Sequence, residues 1–280
     1  MLLLVRFIAA IPMWAFYSLS ELLILILRIS NYRGHVILTN LKNSFPDSTE
    51  AWRKKIKLQF YRNFSDLIVE TITIYGIRKS TLAKRVKLKN PEVLEALYAI
   101  GKSAVIVQAH YGNWEWAGMG LDLVAPHKTI AVYKPLNNTK IDRIVKKMRG
   151  KFGIELVEMK RAPRRILKQT VPTLSILIAD QTPFRTDIEY KTQFLNQLTP
   201  VFLGPEKIAK FAKQDVLYLH SKRIKRGHYE IELIPVSKAS DELALFEITN
   251  RHLKILEDII KEKPADWLWS HRRWKYQNHK

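Results

Sequence analysis

A nearly unbroken apolar run over residues 103–109 stops at a histidine, His110, and a helix-capping residue, Asn113, follows almost at once. Such a run, with so little polar alternation, suits a strand covered on both faces, the environment of an inner strand in a parallel sheet. Asn113 then predicts a helix through Trp114, Glu115 and Leu121, which leaves His110 in a strand-to-helix turn. The rhythm repeats downstream. A strand is expected over 129–133, a helix from about 139 to 152, and another apolar strand over 173–179 that ends at Asp180. Strands over 216–222 and 229–236, joined by the basic turn 223–228, read as an antiparallel hairpin. Ser48 is the expected cap of a helix running through Trp52, Ile56, Phe60 and Phe64 to about Tyr75, and a last helix is expected over about 241–261. The predicted fold class is α/β: a mixed, largely parallel central sheet flanked by helices. In such sheets ligands gather at the carboxyl ends of the strands, where His110 and Asp180 both fall.

The N-terminus has a different character. Residues 2–27 are almost all apolar or small, with Arg6 near the start, Glu21 inside and Arg28 just beyond, about the length of a bilayer-spanning helix. Pro12 and Glu21 disfavour deep burial in hydrocarbon, so a tilted span and a half-inserted anchor both remain open. The run outlasts the apolar region of an ordinary signal peptide, and no A-x-A cleavage site follows it. The expectation is a membrane-anchor helix at 1–29 and a single domain at 30–280. Forty-seven Lys and Arg against twenty-six Asp and Glu give a formal charge of +21, which calls for a polyanionic neighbour, nucleic acid or an anionic bilayer. The anchor favours the bilayer. The basic stretches 53–55, 84–85 and 161–165 are then either headgroup contacts or ordinary solvated faces. With no cysteine, disulfides, thiolate nucleophiles and thiolate metal sites are excluded, and the eight histidines show no metal-ligand spacing, so no metal is expected.

His110 can take a proton from an alcohol near neutral pH, provided a carboxylate holds its other ring nitrogen. Glu115 lies one turn into the next helix, where the dipole favours its ionised form, and Gly112 permits a tight backbone path back toward the imidazole. Histidine and glutamate at this spacing also arise often by chance. Arg149 stands among Lys146, Lys147 and Lys151, so it belongs either to a solvated basic face or to a site. Asp180 could orient Arg149 or a substrate, cap a turn, or pair with Arg185. The C-terminal cluster His271, Arg272, Arg273 and Trp274 fits an anion clamp or, with Trp267 and Trp269, an anchor at headgroup level.

Several blocks together carry a resemblance. Residues 108–115, Gln-Ala-His-Tyr-Gly-Asn-Trp-Glu, resemble the H-x-x-x-x-[DE] signature of the bacterial lipid A biosynthesis (late) acyltransferase family. Val132-Tyr-Lys-Pro135, Arg149-Gly150, Asp180-Gln181, Phe202-Leu-Gly204 and the Trp267 to Trp274 block resemble further family motifs in the right order, after an N-terminal hydrophobic anchor. The resemblance implies an acyltransferase domain at 30–280 that moves a fatty acyl chain from an acyl carrier protein thioester to a hydroxyl of a lipid A precursor. It implies His110 and Glu115 as catalytic residues, with His110 the base and Glu115 its orienting partner, or Glu115 itself the principal base. It implies Arg149, Asp180 and Gln181 as substrate-binding residues. The acyl thioester is a co-substrate and no cofactor is expected. The implied partners are the acyl carrier protein, a membrane glycolipid acceptor and an anionic phospholipid membrane, with no nucleic acid, at the cytoplasmic face of the inner membrane. The Tyr-Gly-Asn-Trp spacer departs from the best-known lipid A enzymes, which leaves open another acceptor, such as an amino-acid lipid or a phosphatidylinositol mannoside, or coenzyme A as the thiol of the donor. A non-enzymatic basic protein binding membrane or nucleic acid would account for the charge but not for the ordered blocks.

Overall fold

In the computed structural model, which describes residues 11–276, the chain opens with helices α1 (Met13–Ile29), α2 (Gly34–Ser44), α3 (Glu50–Thr73) and α4 (Lys79–Arg85). Strands and helices then alternate: β1 (Val86–Leu88), α5 (Glu92–Ala99), β2 (Ala104–Gln108), α6 (Trp114–Val124), β3 (Lys128–Tyr133), α7 (Thr139–Arg149), β4 (Glu155–Glu158), α8 (Ala162–Leu167) and β5 (Thr173–Ile178). A two-stranded flap follows, β6 (Lys191–Phe194) with β7 (Gln197–Pro200), then α9 (Gly204–Ala212), the hairpin β8 (Asp215–Lys225) and β9 (His228–Ser237), and α10 (Glu247–Glu262).

Among the described residues seven strands make one sheet in the order β1-β9-β8-β2-β5-β3-β4, with only the β8–β9 pair antiparallel. The expected mixed, largely parallel sheet is therefore what the chain forms. Strand β2 lies at its centre, between β5 and β8, and all five of its residues are buried. Alternate side chains serve two cores: Val105 and Val107 pack with α2, α3, α8, α9 and α10 on one face, Ala104 and Ile106 with α4, α5, α6 and α7 on the other. Each of the two valines and Ile106 contributes about 1.5–3 kcal/mol on burial. A polar residue inside this run would face a core whichever way it pointed.

Several element ends differ from the expectation for local reasons. The cap of α3 is Thr49, whose hydroxyl accepts from Trp52 N at 3.1 Å, because the Ser48 hydroxyl donates back to Phe45 O at 2.6 Å. Helix α10 begins at Glu247 rather than near 241, since the Asp241 carboxylate closes a turn on Lys238 N at 2.9 Å and Phe246 sits at a positive φ of 68°. Strand β8 continues to Lys225, which draws Arg223 out of the expected turn. The short strands β1 and β4 carry too few residues for a periodic signal.

The first ten residues of the expected anchor lie outside the described residues. Its remainder forms α1, and no single described helix is long and apolar enough to cross a membrane; α1 and α2 pass that test only together, across an 82° bend. Helix α1 is two-sided. Trp14, Leu22, Leu25, Ile26 and Ile29 are each at least half exposed along one side, while Phe16, Ser20 and Ile24 are buried on the other. Glu21, awkward for a span, pairs at the surface with Arg226 at 2.7 Å. All three basic stretches make bonds within the protein: Arg53 donates to Ser48 O, Arg85 donates to Gly227 O, and Arg165 grips Glu155 through two bonds of 2.6 Å.

Candidate active site

The parallel register of β2 and β5 builds the site. Gln108 lies opposite Ile178, and Ala179 N donates to Gln108 O at 3.0 Å, so the residues two beyond each strand end, His110 and Asp180, emerge side by side. The His110 ring Nδ1 lies 2.7 Å from Asp180 Oδ1, and His110 N donates to Asp180 Oδ2 at 3.1 Å. A third donor, Trp267 Nε1, reaches Asp180 Oδ2 at 2.8 Å from the C-terminal block. Burial by itself would raise the pKa of Asp180, but the facing imidazole and these hydrogen bonds outweigh it and hold the carboxyl below its ordinary value. Asp180 is therefore the carboxylate that fixes Nδ1 as the protonated nitrogen. The imidazole then presents Nε2 as an acceptor, and Gln181 Nε2 donates to it weakly at 3.3 Å. The Trp114 ring stands edge-on to the imidazole with centroids 4.9 Å apart.

The expected approach of Glu115 to the imidazole is replaced by a different pairing. Helix α6 carries Glu115 to the face lined by α7, where Arg149 Nε donates to Oε2 at 2.9 Å and Nη2 donates to Oε1 at 2.5 Å. The guanidinium is thus taken up by Glu115, not by Asp180, and the solvated-face reading of Arg149 is set aside. Burial lowers the Arg149 pKa, and the Glu115 carboxylate more than restores it. Both residues line a cavity of about 60 Å³ whose other walls include Trp114, Gly118, Met119, Val132, Tyr133, Ile176 and Ile178. The cavity is mostly apolar, with one charged pair at its wall.

The turn itself is tightly held. Gly112 adopts a φ of 59°, and a Cβ there would lie 2.5 Å from Ser221 O, so only glycine fits. Gly112 N donates to Asp266 O at 2.9 Å and Leu268 N to His110 O at 3.1 Å, which ties the turn to the C-terminal block. That block is not at headgroup level: Trp267, Trp269, Arg273 and Trp274 are all buried. Burial pushes the Arg273 guanidinium down to about 10 and the His271 imidazole to about 4. His271 instead accepts from Thr182 N at 3.3 Å. Asp180 does not reach Arg185, which is exposed in a 3-10 turn.

The model of the bacterial lipid A biosynthesis acyltransferase family matches residues 1–276. The chain belongs to this family. The chain is accordingly an enzyme that transfers acyl groups, in lipid A or lipid acylation. No curated protein matches the chain.

Sequence reasoning did not single out Trp267 as a partner of Asp180, because an indole donor leaves no spacing signal. It also passed over Glu70, a carboxylate among Leu67, Val69 and Thr73 on the buried side of α3. A charged residue on an apolar helix face was the available sign.

Proposed function

We propose that this protein is a membrane-associated O-acyltransferase moving a fatty acyl chain from an acyl carrier protein thioester to a hydroxyl of a lipid A precursor, at the cytoplasmic face of the inner membrane. The observation that carries the mechanism is the 2.7 Å contact between His110 Nδ1 and a buried Asp180, which leaves Nε2 free to act as a base once an acceptor hydroxyl takes the place of Gln181. His110 removes the hydroxyl proton as the oxygen attacks the thioester carbonyl. Asp180 stabilises the imidazolium that results and does not itself take the proton. The tetrahedral intermediate collapses with cleavage of the C–S bond, and the thiolate, a good leaving group, departs and regains a proton from the imidazolium.

Arg149, held in place by Glu115 at the cavity wall, supplies fixed positive charge for the developing oxyanion or for an anionic part of the substrate. The apolar cavity beyond it receives part of an acyl chain. The exposed apolar side of α1 and the net charge of +21 support attachment to an anionic bilayer, and the same charge draws in an acidic carrier and a phosphorylated acceptor.

Mass spectrometry of the lipids of a lipid A acylation-deficient host, with and without the protein, tests the reading. The expected result is a gain of one acyl chain on lipid A, with turnover lowered about 10²–10⁴-fold in His110→Ala. A gain that persists in that variant would remove His110 from the mechanism, and a gain on a different lipid would replace the acceptor. Purified enzyme offered the same acyl chain on carrier protein or on coenzyme A decides the donor.

A further inference from the structure

We infer that Glu70 is a positioning residue for the acyl transfer, the buried link through which α1 fixes the turn that carries His110. The inference rests on His110 being the base of the proposed reaction. Glu70 is completely buried in the last turn of α3. Its Oε2 accepts from Asn113 Nδ2 at 2.7 Å and from Tyr229 OH at 2.7 Å, and its Oε1 accepts from Tyr17 OH at 3.0 Å. Its main-chain oxygen accepts from Trp116 Nε1 at 3.1 Å.

These donors come from three separate elements. Tyr17 belongs to α1, whose other side is apolar and exposed; Tyr229 belongs to β9; Asn113 is the cap of α6, three residues beyond His110. The Asn113 side chain is used at both ends, since its Oδ1 accepts from Trp116 N at 2.9 Å while its amide group donates to Glu70. A cap amide so held cannot rotate, and the backbone from His110 to Trp114 inherits that restraint. A structural core would reach the same end with apolar side chains at less desolvation cost. The use of a buried carboxylate with a directional donor on each side buys orientation, which a base held within hydrogen-bond reach of its substrate requires.

One turn before Glu70, Asp66 repeats the arrangement. It accepts from Ser20 of α1 at 2.6 Å and from Arg223 and Arg226 of the β8–β9 hairpin, so α1 is registered against the sheet at two successive turns of α3. The Glu70 turn reaches the site directly through Asn113, whereas the Asp66 turn reaches it by a longer relay through Arg223, Asn63 and Asp266, whose main-chain oxygen accepts from Gly112 N. The placement of α1 is thereby linked to the His110 turn through a polar path.

An amide–carboxylate exchange tests this. Asn113→Asp keeps a good helix cap but sets two carboxylates against each other, and Glu70→Gln in the same chain restores one amide facing one carboxylate. With purified enzyme and acyl carrier thioester in mixed vesicles, Asn113→Asp is expected to lower kcat about ten- to a hundredfold with KM little changed. The double variant is expected to recover most of that loss. Tyr17→Phe, which leaves the core filled, is expected to lower kcat a few-fold without altering sedimentation with vesicles. Nitrogen NMR of the His110 imidazole reads the tautomer without turnover, and its signal is expected to shift in Asn113→Asp and return in the double variant. Wild-type kcat in Asn113→Asp and Tyr17→Phe, or a double variant no better than Asn113→Asp alone, overturns the inference. An inactive wild-type enzyme would instead remove the functional reading, while the NMR comparison still decides whether Glu70 positions the turn.

Discussion

The two polar pairs of the site, His110 with Asp180 and Glu115 with Arg149, start from the same turn and are held in different ways. Asp180 is 3% exposed and takes three donors, from the imidazole, a backbone N–H and an indole, so its position is determined from every side. Among the described residues Glu115 and Arg149 have only each other, in a bidentate pair at a cavity wall with Arg149 still 30% exposed. The first arrangement suits a group that must keep one tautomer through the reaction. The second suits a wall that meets substrate, where a charge can move by a few tenths of an ångström to follow a developing oxyanion.

Replacing each acid by its amide separates the two roles. Asp180→Asn is expected to lower kcat about a thousandfold with KM little changed, because an amide can donate to Nδ1 and force the wrong tautomer on His110. Glu115→Gln is expected to cost about tenfold, with KM rising as well, since it frees Arg149 without touching the base. Steady-state kinetics on the two purified variants decides between this order and the reverse. A larger loss in Glu115→Gln would restore Glu115 as the principal base.

A smaller effect sharpens the same contrast from the arginine side. Lysine at position 149 keeps the charge but cannot make the two parallel bonds to Glu115 or hold a planar fork at the cavity wall. Arg149→Lys is expected to retain about a tenth of wild-type kcat/KM, with its pH dependence unchanged because His110 and Asp180 are untouched. A shifted pH profile in that variant would mean the two pairs are coupled.

What the sequence made legible follows from length and period. The run over 103–109 and the run ending at Asp180 are long enough to read as inner strands, and reading them as neighbours at their carboxyl ends put His110 and Asp180 in one cleft. It did not reveal that the two strands pair with Gln108 opposite Ile178, and it is this register that hands the imidazole to Asp180 rather than to Glu115. Proximity in sequence favoured Glu115; the helix axis of α6 carries it away. Trp267 and Glu70 act over separations of 87 and 43 residues, and no periodic pattern encodes a contact at that distance. The amphipathic division of α1 was hidden for another reason. Ser20, Glu21 and Tyr17 are few among apolar neighbours, so composition alone reads as a span, whereas the polar ones mark the side that binds α3 and the hairpin.

The indole of Trp267 offers the finest test of how Asp180 is held. Phenylalanine fills most of the same space but removes the donor to Oδ2, and a hydrogen bond to a charged group is worth about 1.5–3 kcal/mol. Because the pKa of Asp180 lies below its ordinary value in the folded protein, the carboxylate contributes stability that is present above the unfolded pKa, near pH 4, and is lost as pH falls through the folded value. Removing one of the bonds that lowers the folded pKa raises it, so the stabilisation is smaller and disappears at a higher pH. Trp267→Phe is therefore expected to unfold earlier on acidification, to lose only a few-fold in kcat at neutral pH, and to leave the Glu115–Arg149 pair as it was. Acid titration followed by far-ultraviolet circular dichroism, run beside Asp180→Asn, checks the assignment: the Trp267→Phe shift should vanish in the Asp180→Asn background, because the group whose titration it alters is then absent. A shift of equal size in both backgrounds would place the effect in packing among the C-terminal tryptophans and not in the carboxylate.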